Sequence, residues 1–292
     1  MKRKQLGEEH LDIAATYCNI GDVQFNRNQY DDALGVYEEA LRIRKKKLGD
    51  THLDNAEVLR NISKIHQMKG NAKESAKALE EEIRVRKALL GISNPSLAQP
   101  LTNLGRSYHE LGQLDNALMA YREALHLYEH KLKDLNSLSS PARQDTSGSS
   151  SVSSSSPPTC ETVTQRRKAQ SDALGSFSDI LRKIGLVCQA KGETDKALSA
   201  FKASLKYKVR QLGPDSIEVA MISENIALCL FNKGDYQSAA SSFLEALRVK
   251  RRNFGEDSDG VATTLNNLGN VYYTLGELKK AMEAYAKAFL VK

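Results

Sequence analysis

Six residues, Ala33, Ser75, Ala117, Ala197, Ala239 and Ala281, recur along the chain at steps of 42, 42, 80, 42 and 42, and the long step is 42 plus an insertion of 38. Two further columns keep the same register. One runs Asn28, Gly70, Gly112, Gly192, Gly234 and Gly276; the other runs Gly21, Ser63, Gly105, Gly185, Ala227 and Gly269. A fixed period of this length means stacked supersecondary units, each of which buries its apolar face only against its neighbours. The 292 residues therefore count copies rather than compact domains. Such an array offers one continuous surface, so binding is the first functional expectation and no chemistry is implied.

Within a copy the apolar residues follow a helical period. In the sixth, Leu265, Leu268 and Tyr272 form one stripe, and Leu278, Ala281, Met282, Tyr285 and Phe289 form a second, with Gly276 between them. A short turn between two such stripes predicts an antiparallel helix pair, and the small residues Gly269, Ala281 and Ala288 let the two helices approach closely. With 40% hydrophobic residues, 6% aromatic residues and no Trp, nothing favours a strand-rich alternative.

These positions resemble the tetratricopeptide repeat, whose small, Gly, Ala, aromatic and Ala sites are filled by Gly269, Gly276, Ala281, Tyr285 and Ala288. That unit is usually about 34 residues long. The longer period, with Leu48-Gly49, Leu90-Gly91 and Leu212-Gly213 between units, Phe254-Gly255 as a variant, and His10 and His52 three residues past the Gly, is similar to the repeats of kinesin light chains. The resemblance covers residues 5–132 and 171–292. It implies an all-α, right-handed superhelical solenoid of antiparallel helix pairs, with repeats 1–3 in residues 1–132 and repeats 4–6, the last incomplete, in 171–292. The implied function is that of a protein-interaction scaffold or adaptor. A light chain-like cargo adaptor is a special case, whose implied partner is a kinesin heavy chain. Light chains join the motor through an N-terminal heptad coiled coil, and no heptads precede Leu6.

Residues 133–170 break the pattern with a Ser/Pro-rich stretch too poor in apolar residues to fold, which predicts a disordered insertion. Ser140 and Ser156, each followed by Pro, are expected phosphorylation sites, with Arg166, Arg167 and Lys168 at hand for a phosphate; a passive spacer is the plainer reading. Lys4-Gln5-Leu6-Gly7 reads like the tail of an earlier second helix, and the sixth repeat stops before its closing pair. An uncapped array exposes an apolar face. The expectation is a longer array or end-to-end self-association.

In this family the first helices line a concave face, which the resemblance assigns here to Asn19, Asn61, Asn103, Asn225 and Asn267, a column interrupted by Lys183. An amide that both donates and accepts can hold the backbone of an extended peptide, although Asn also bonds locally within helices. One turn away stand Arg60, Lys64, Arg106 and Arg182, with Glu57, Glu110 and Asp179 near enough to offset part of their charge. The expected ligand is an extended peptide with acidic residues over the second to fourth repeats; a solvated charged face is the plainer alternative. The last two repeats instead carry Asn232, Asn266, Asn270, Phe231 and Tyr273.

The net charge of +6 admits nucleic acid, acidic peptides or an anionic surface. Runs at 42–47, 84–87, 206–210 and 248–252 fall at the ends of second helices, where cations suit the helix dipole. An RNA-binding helical repeat is the alternative reading. It needs basic and aromatic residues together on the groove, and in the sequence they separate into different repeats. Cys18, Cys160, Cys188 and Cys229 show no paired spacing, no stretch reaches membrane-spanning length, and a cytoplasmic protein is expected. His126 and His130 are spaced for a metal but lack a third ligand, and no phosphate loop or nucleophile motif appears. No enzyme, cofactor or metal is expected. Glu82 in an otherwise small column predicts local loosening at the second junction, and Ser223 departs from a Leu column.

Overall fold

The computed structural model describes residues 9–137 and 160–291. Among them are twelve α-helices and no strand. In chain order they are α1 (Leu11–Asn26), α2 (Tyr30–Leu48), α3 (Leu53–Met68), α4 (Ala72–Leu90), α5 (Ala98–Glu110), α6 (Leu114–Ser137), α7 (Cys160–Ala190), α8 (Thr194–Leu212), α9 (Ile217–Asn232), α10 (Tyr236–Phe254), α11 (Asp259–Thr274) and α12 (Leu278–Leu290). They pair as the period requires.

Local chemistry sets the ends of the helices. His10, His52, Asn94, Ser216 and Ser258 occupy equivalent positions before first helices. Each accepts a hydrogen bond from a backbone N–H of the first turn, at 3.2, 3.2, 2.9, 3.3 and 3.4 Å. The family-like histidines are therefore N-caps, with Nδ1 facing the first-turn N–H. At the turns within pairs, Gly70, Gly112, Gly192, Gly234 and Gly276 take φ of +72 to +81°, and Asn28 takes 60° in the same role. Asn is the non-glycine residue that best tolerates this region.

In the first pair, Phe25 meets Tyr30 across the turn with ring centroids 5.6 Å apart, Tyr37 covers Gly21, and Ile13 and Ala14 pack on Ala40 and Ile43. The partners thus run in opposite directions. A Cβ at Gly21, Gly105, Gly185 or Gly269 would fall 2.5–2.7 Å from the ring of Tyr37, Tyr121, Phe201 or Tyr285. At these four positions the column is Gly because an aromatic ring occupies that space.

The helices divide into two compact units, Met1–Leu127 and Tyr128–Lys292. In the first, α1 to α5 stack pair on pair, with Ala33, Tyr37, Val58, Ile62, Ile65 and Ala78 in one core cluster. In the second, α7 to α12 repeat the arrangement, with Ala220, Ala246 and Val249 packed together between α9 and α10.

Three expectations need correction. Of the segment expected to lack structure, residues 133–137 continue α6 and 160–170 begin α7. Lys133 pairs with Glu129 at 3.0 Å along α6, and Gln170 of α7 donates to Asn136 of α6 at 2.6 Å, so one pair within a helix and one between helices lie beyond the apolar stripe. Ser140 and Ser156 lie outside the described residues. Next, Glu82 does not splay its junction: it is 0% exposed, with Arg86 Nη2 at 3.0 Å. Ser223 is also buried, its hydroxyl donating to the Val219 carbonyl at 3.0 Å. Finally, the basic helix ends do more than face a dipole. Arg42 and Lys46 hold Glu9 at 3.2 and 2.6 Å, and Arg248 and Arg252 hold the equivalent Asp215 at 2.7 Å each.

Candidate functional site: the first-helix side

Successive first helices touch at a constant offset. In the first unit Asn61 Nδ2 lies 3.5 Å from Asp22 Oδ1, the Lys64 ammonium sits 4.4 Å above the Phe25 ring, and Arg106 donates to Gln67. Each pair is 39 residues apart, one repeat less one residue triplet. The expected site residues Asn61, Lys64 and Arg106 are thereby brought onto one line across α1, α3 and α5.

Asp22, Phe25, Asn26, Tyr37, Asn61 and Lys64 enclose a cavity of about 320 Å³ on that line. Tyr37 donates its hydroxyl to Asp22. Burial, then the Asp22 carboxylate, pushes the Tyr37 phenol well up, which keeps it a neutral donor. Asp22, Phe25 and Tyr37 were not singled out from the sequence. Asp22 was within reach, because it occupies the column of Lys64 and Arg106 and reverses their sign.

The asparagine column divides by environment. Asn61 is held by Asp22, and Asn103 accepts from Gln99 at 3.1 Å. Asn19, Asn225 and Asn267 have no side-chain partner among the described residues; Asn19 is exposed and the other two are half-buried. Among the cations, Arg60 is exposed and makes no ion pair within 4 Å among the described residues, while Arg106 stands 3.8 Å from Glu110. Arg182 and Lys183, in the second unit, are half-buried. Asp179 binds the buried Lys208 at 2.9 Å.

The second unit holds a polar network that the sequence did not reveal. Lys250 Nζ, from second helix α10, lies 2.6 Å from Glu224 Oε1 on α9, 3.1 Å from Thr264 Oγ1 and 3.2 Å from the Gly260 carbonyl on α11. Thr264 also donates to Glu224. One ammonium satisfied by three oxygens ties consecutive repeats together beside Asn225.

Basic and aromatic residues do meet, contrary to the sequence expectation: the Lys280 ammonium sits 5.4 Å from the Tyr272 ring, and Lys64 lies over Phe25. The Phe25 ring also packs against Tyr30, so it is occupied rather than offered to a base. His126 and His130 are exposed on α6, and no group of three metal-ligating side chains occurs among the described residues. Cys188 and Cys229 are buried and Cys18 half-buried, with burial pushing the Cys18 and Cys229 thiols up. No helix among the described residues is long and apolar enough to cross a membrane.

A stack of helix pairs with small-on-aromatic contacts and a polar first-helix line defines a helical-repeat protein. The tetratricopeptide repeat family model matches residues 1–46, 12–88, 54–130, 176–252 and 218–289, and the chain belongs to the tetratricopeptide repeat family. No curated protein matches it in sequence. Among solved structures, it is similar to BtubC (BKLC) from P. vanneervenii, with a TM-score of 0.62 at 17% identity over 91% of this chain and 90% of that one. A putative kinesin light chain from Podosopora anserina with nearly identical TPR-like repeats gives 0.58 at 13% identity over 84% and 98%. YrrB, described as a TPR protein with an unusual peptide-binding site, gives 0.51 at 18% identity over 85% and 91%. At these identities the likeness is one of fold.

Proposed function

We propose that the chain is a protein-interaction scaffold that binds an extended peptide segment of a partner along its first helices. The observation that carries this reading is the set of uncommitted amides, Asn19 in the first unit and Asn225 and Asn267, one repeat step apart, in the second. Each amide can donate to a peptide carbonyl and accept from a peptide N–H, at a net gain of about 0.5–1.5 kcal/mol per bond. Exposed Arg60, with Lys64 and Arg106 beside it, favours acidic side chains over the second and third repeats, and in the second unit Arg182 and Lys183 give the fourth repeat the same preference. Asp22 favours a basic residue over the first. A light chain-like cargo adaptor, bound to a kinesin heavy chain, is the specialised form of this reading, and end-to-end association of copies is compatible with it.

An array of immobilised 15-residue peptides of varied charge tests the proposal. Acid-bearing peptides should bind, and Asn19→Ala with Asn225→Ala and Asn267→Ala should weaken them on the order of tenfold. Equal binding by the triple variant would remove the first-helix side as the site. RNA bound with a salt slope of many charges would favour the nucleic-acid alternative instead.

A further inference from the structure

On the side formed by the second helices, one groove occurs twice. Between α4 and α6 it has a floor of Ile83, Leu101 and Leu104 and a volume of about 320 Å³. Between α10 and α12 the equivalent Leu247, Leu265 and Leu268 floor a cavity of about 290 Å³, and its walls correspond to the first residue for residue through the repeat step. In the first groove an ion pair clamps the two second helices: Lys87 Nζ is 2.6 Å from Glu123 Oε1. The junction before it has the same clamp, Lys45 to Glu81 at 2.6 Å.

In the second groove the clamp positions hold Arg251 and Lys287, two cations. Lys287 has no carboxylate partner among the described residues. Arg251 is paired with Glu256, whose Oε2 lies 2.9 Å from the buried Nε without a well-directed hydrogen bond. The same two cations and Leu265, with the acids Glu256 and Asp257, also line an adjoining cavity of about 400 Å³. Lys280, on the far wall, is engaged by Glu277 at 2.7 Å. Glu283, one turn before Lys287, gives the groove a polarity that repels an acid from that end.

We propose that the groove between α10 and α12 is a second binding site, separate from the first-helix line, for an acidic–apolar peptide segment of a partner protein. An Asp or Glu carboxylate of the partner takes the place that Glu123 fills in the first groove, bridging Arg251 and Lys287. An adjacent apolar side chain lies on Leu247, Leu265 and Leu268. The internal junctions supply the precedent for a carboxylate at this place, and charge-assisted bonds to a guanidinium give it strength and direction.

The test pans a phage-displayed library of random 12-residue peptides against the full chain and measures recovered peptides by fluorescence polarisation. Recovered sequences should pair Asp or Glu with a neighbouring Leu, Ile or Phe. Their affinity should fall on the order of tenfold in Lys287→Glu and stay unchanged in Asn225→Ala with Asn267→Ala. Lys287→Glu recreates the clamp with Arg251, so its melting temperature should equal or exceed that of the parent, and lost binding cannot then be lost folding. An empty panning, peptides without acid, or peptides indifferent to Lys287→Glu would each overturn the proposal. Peptides lost only in the asparagine variant would belong to the first-helix side and would also overturn it.

Discussion

Glu82 stands where other repeats place Ala40, Ala124, Ser204, Ala246 and Ala288, and it is sealed from water with neither carboxylate oxygen accepting a well-directed hydrogen bond. Burial raises its pKa from 4.5 to about 7, against the opposing pull of Arg86 and Arg60. The folded state therefore holds a proton that the unfolded chain has released between about pH 4.5 and 7. Stability should fall as pH rises through that window, by on the order of 2 kcal/mol from this residue. Urea unfolding at pH 5 and pH 8 should show this slope, and Glu82→Gln should flatten it. A second residue-level consequence concerns Gly269, whose missing Cβ leaves room for the Tyr285 ring. Gly269→Val should lower stability by about 1–3 kcal/mol, read as a shift in denaturation midpoint. Both positions were visible in the sequence as departures from, or members of, a column. Arg86 as the partner of Glu82 was not, because a side chain's choice of rotamer depends on what surrounds it.

At the scale of the helix, starts and stops were largely legible, because caps are local chemistry. The column His10, His52, Asn94, Ser216, Ser258 mixes residue types that share one property, an acceptor able to reach the first-turn N–H groups. Ser258→Ala should cost about 1 kcal/mol, and circular dichroism with thermal melting would register it; an unchanged melting curve would mean that water caps α11 equally well. Where helix persistence depended on weak side-chain pairs, the sequence misled. The continuation of α6 to Ser137 and the start of α7 at Cys160 lack the apolar stripe on which the expectation rested. The basic helix ends were read as complements to a dipole. Glu9 and Asp215, which hold them, lie 33 to 37 residues away in sequence.

For the molecule as a whole, stability in a stack is a sum of units and the contacts between them, so single bridging residues have non-local effects. Lys250 joins α9, α10 and α11 through Glu224, Thr264 and Gly260. Lys250→Met would strand Glu224 without its counter-charge, at an expected cost of about 3–5 kcal/mol. Hydrogen exchange should then show α11 and α12 opening before α7 and α8, whereas uniform opening of the second unit would contradict the bridging role. The period, the helix pairs, the small residues where paired helices approach and the family were determined by the sequence alone, because each follows from which residues recur at a fixed step and helical sterics are local. Which asparagines are engaged and which are spare, that Asp22 meets Asn61, that Glu82 is buried with Arg86, and that Arg251 and Lys287 share a groove were decided only by the tertiary structure. Those facts depend on distances between residues tens of positions apart, and a column of like residues fixes their place on a helix without fixing what stands opposite them.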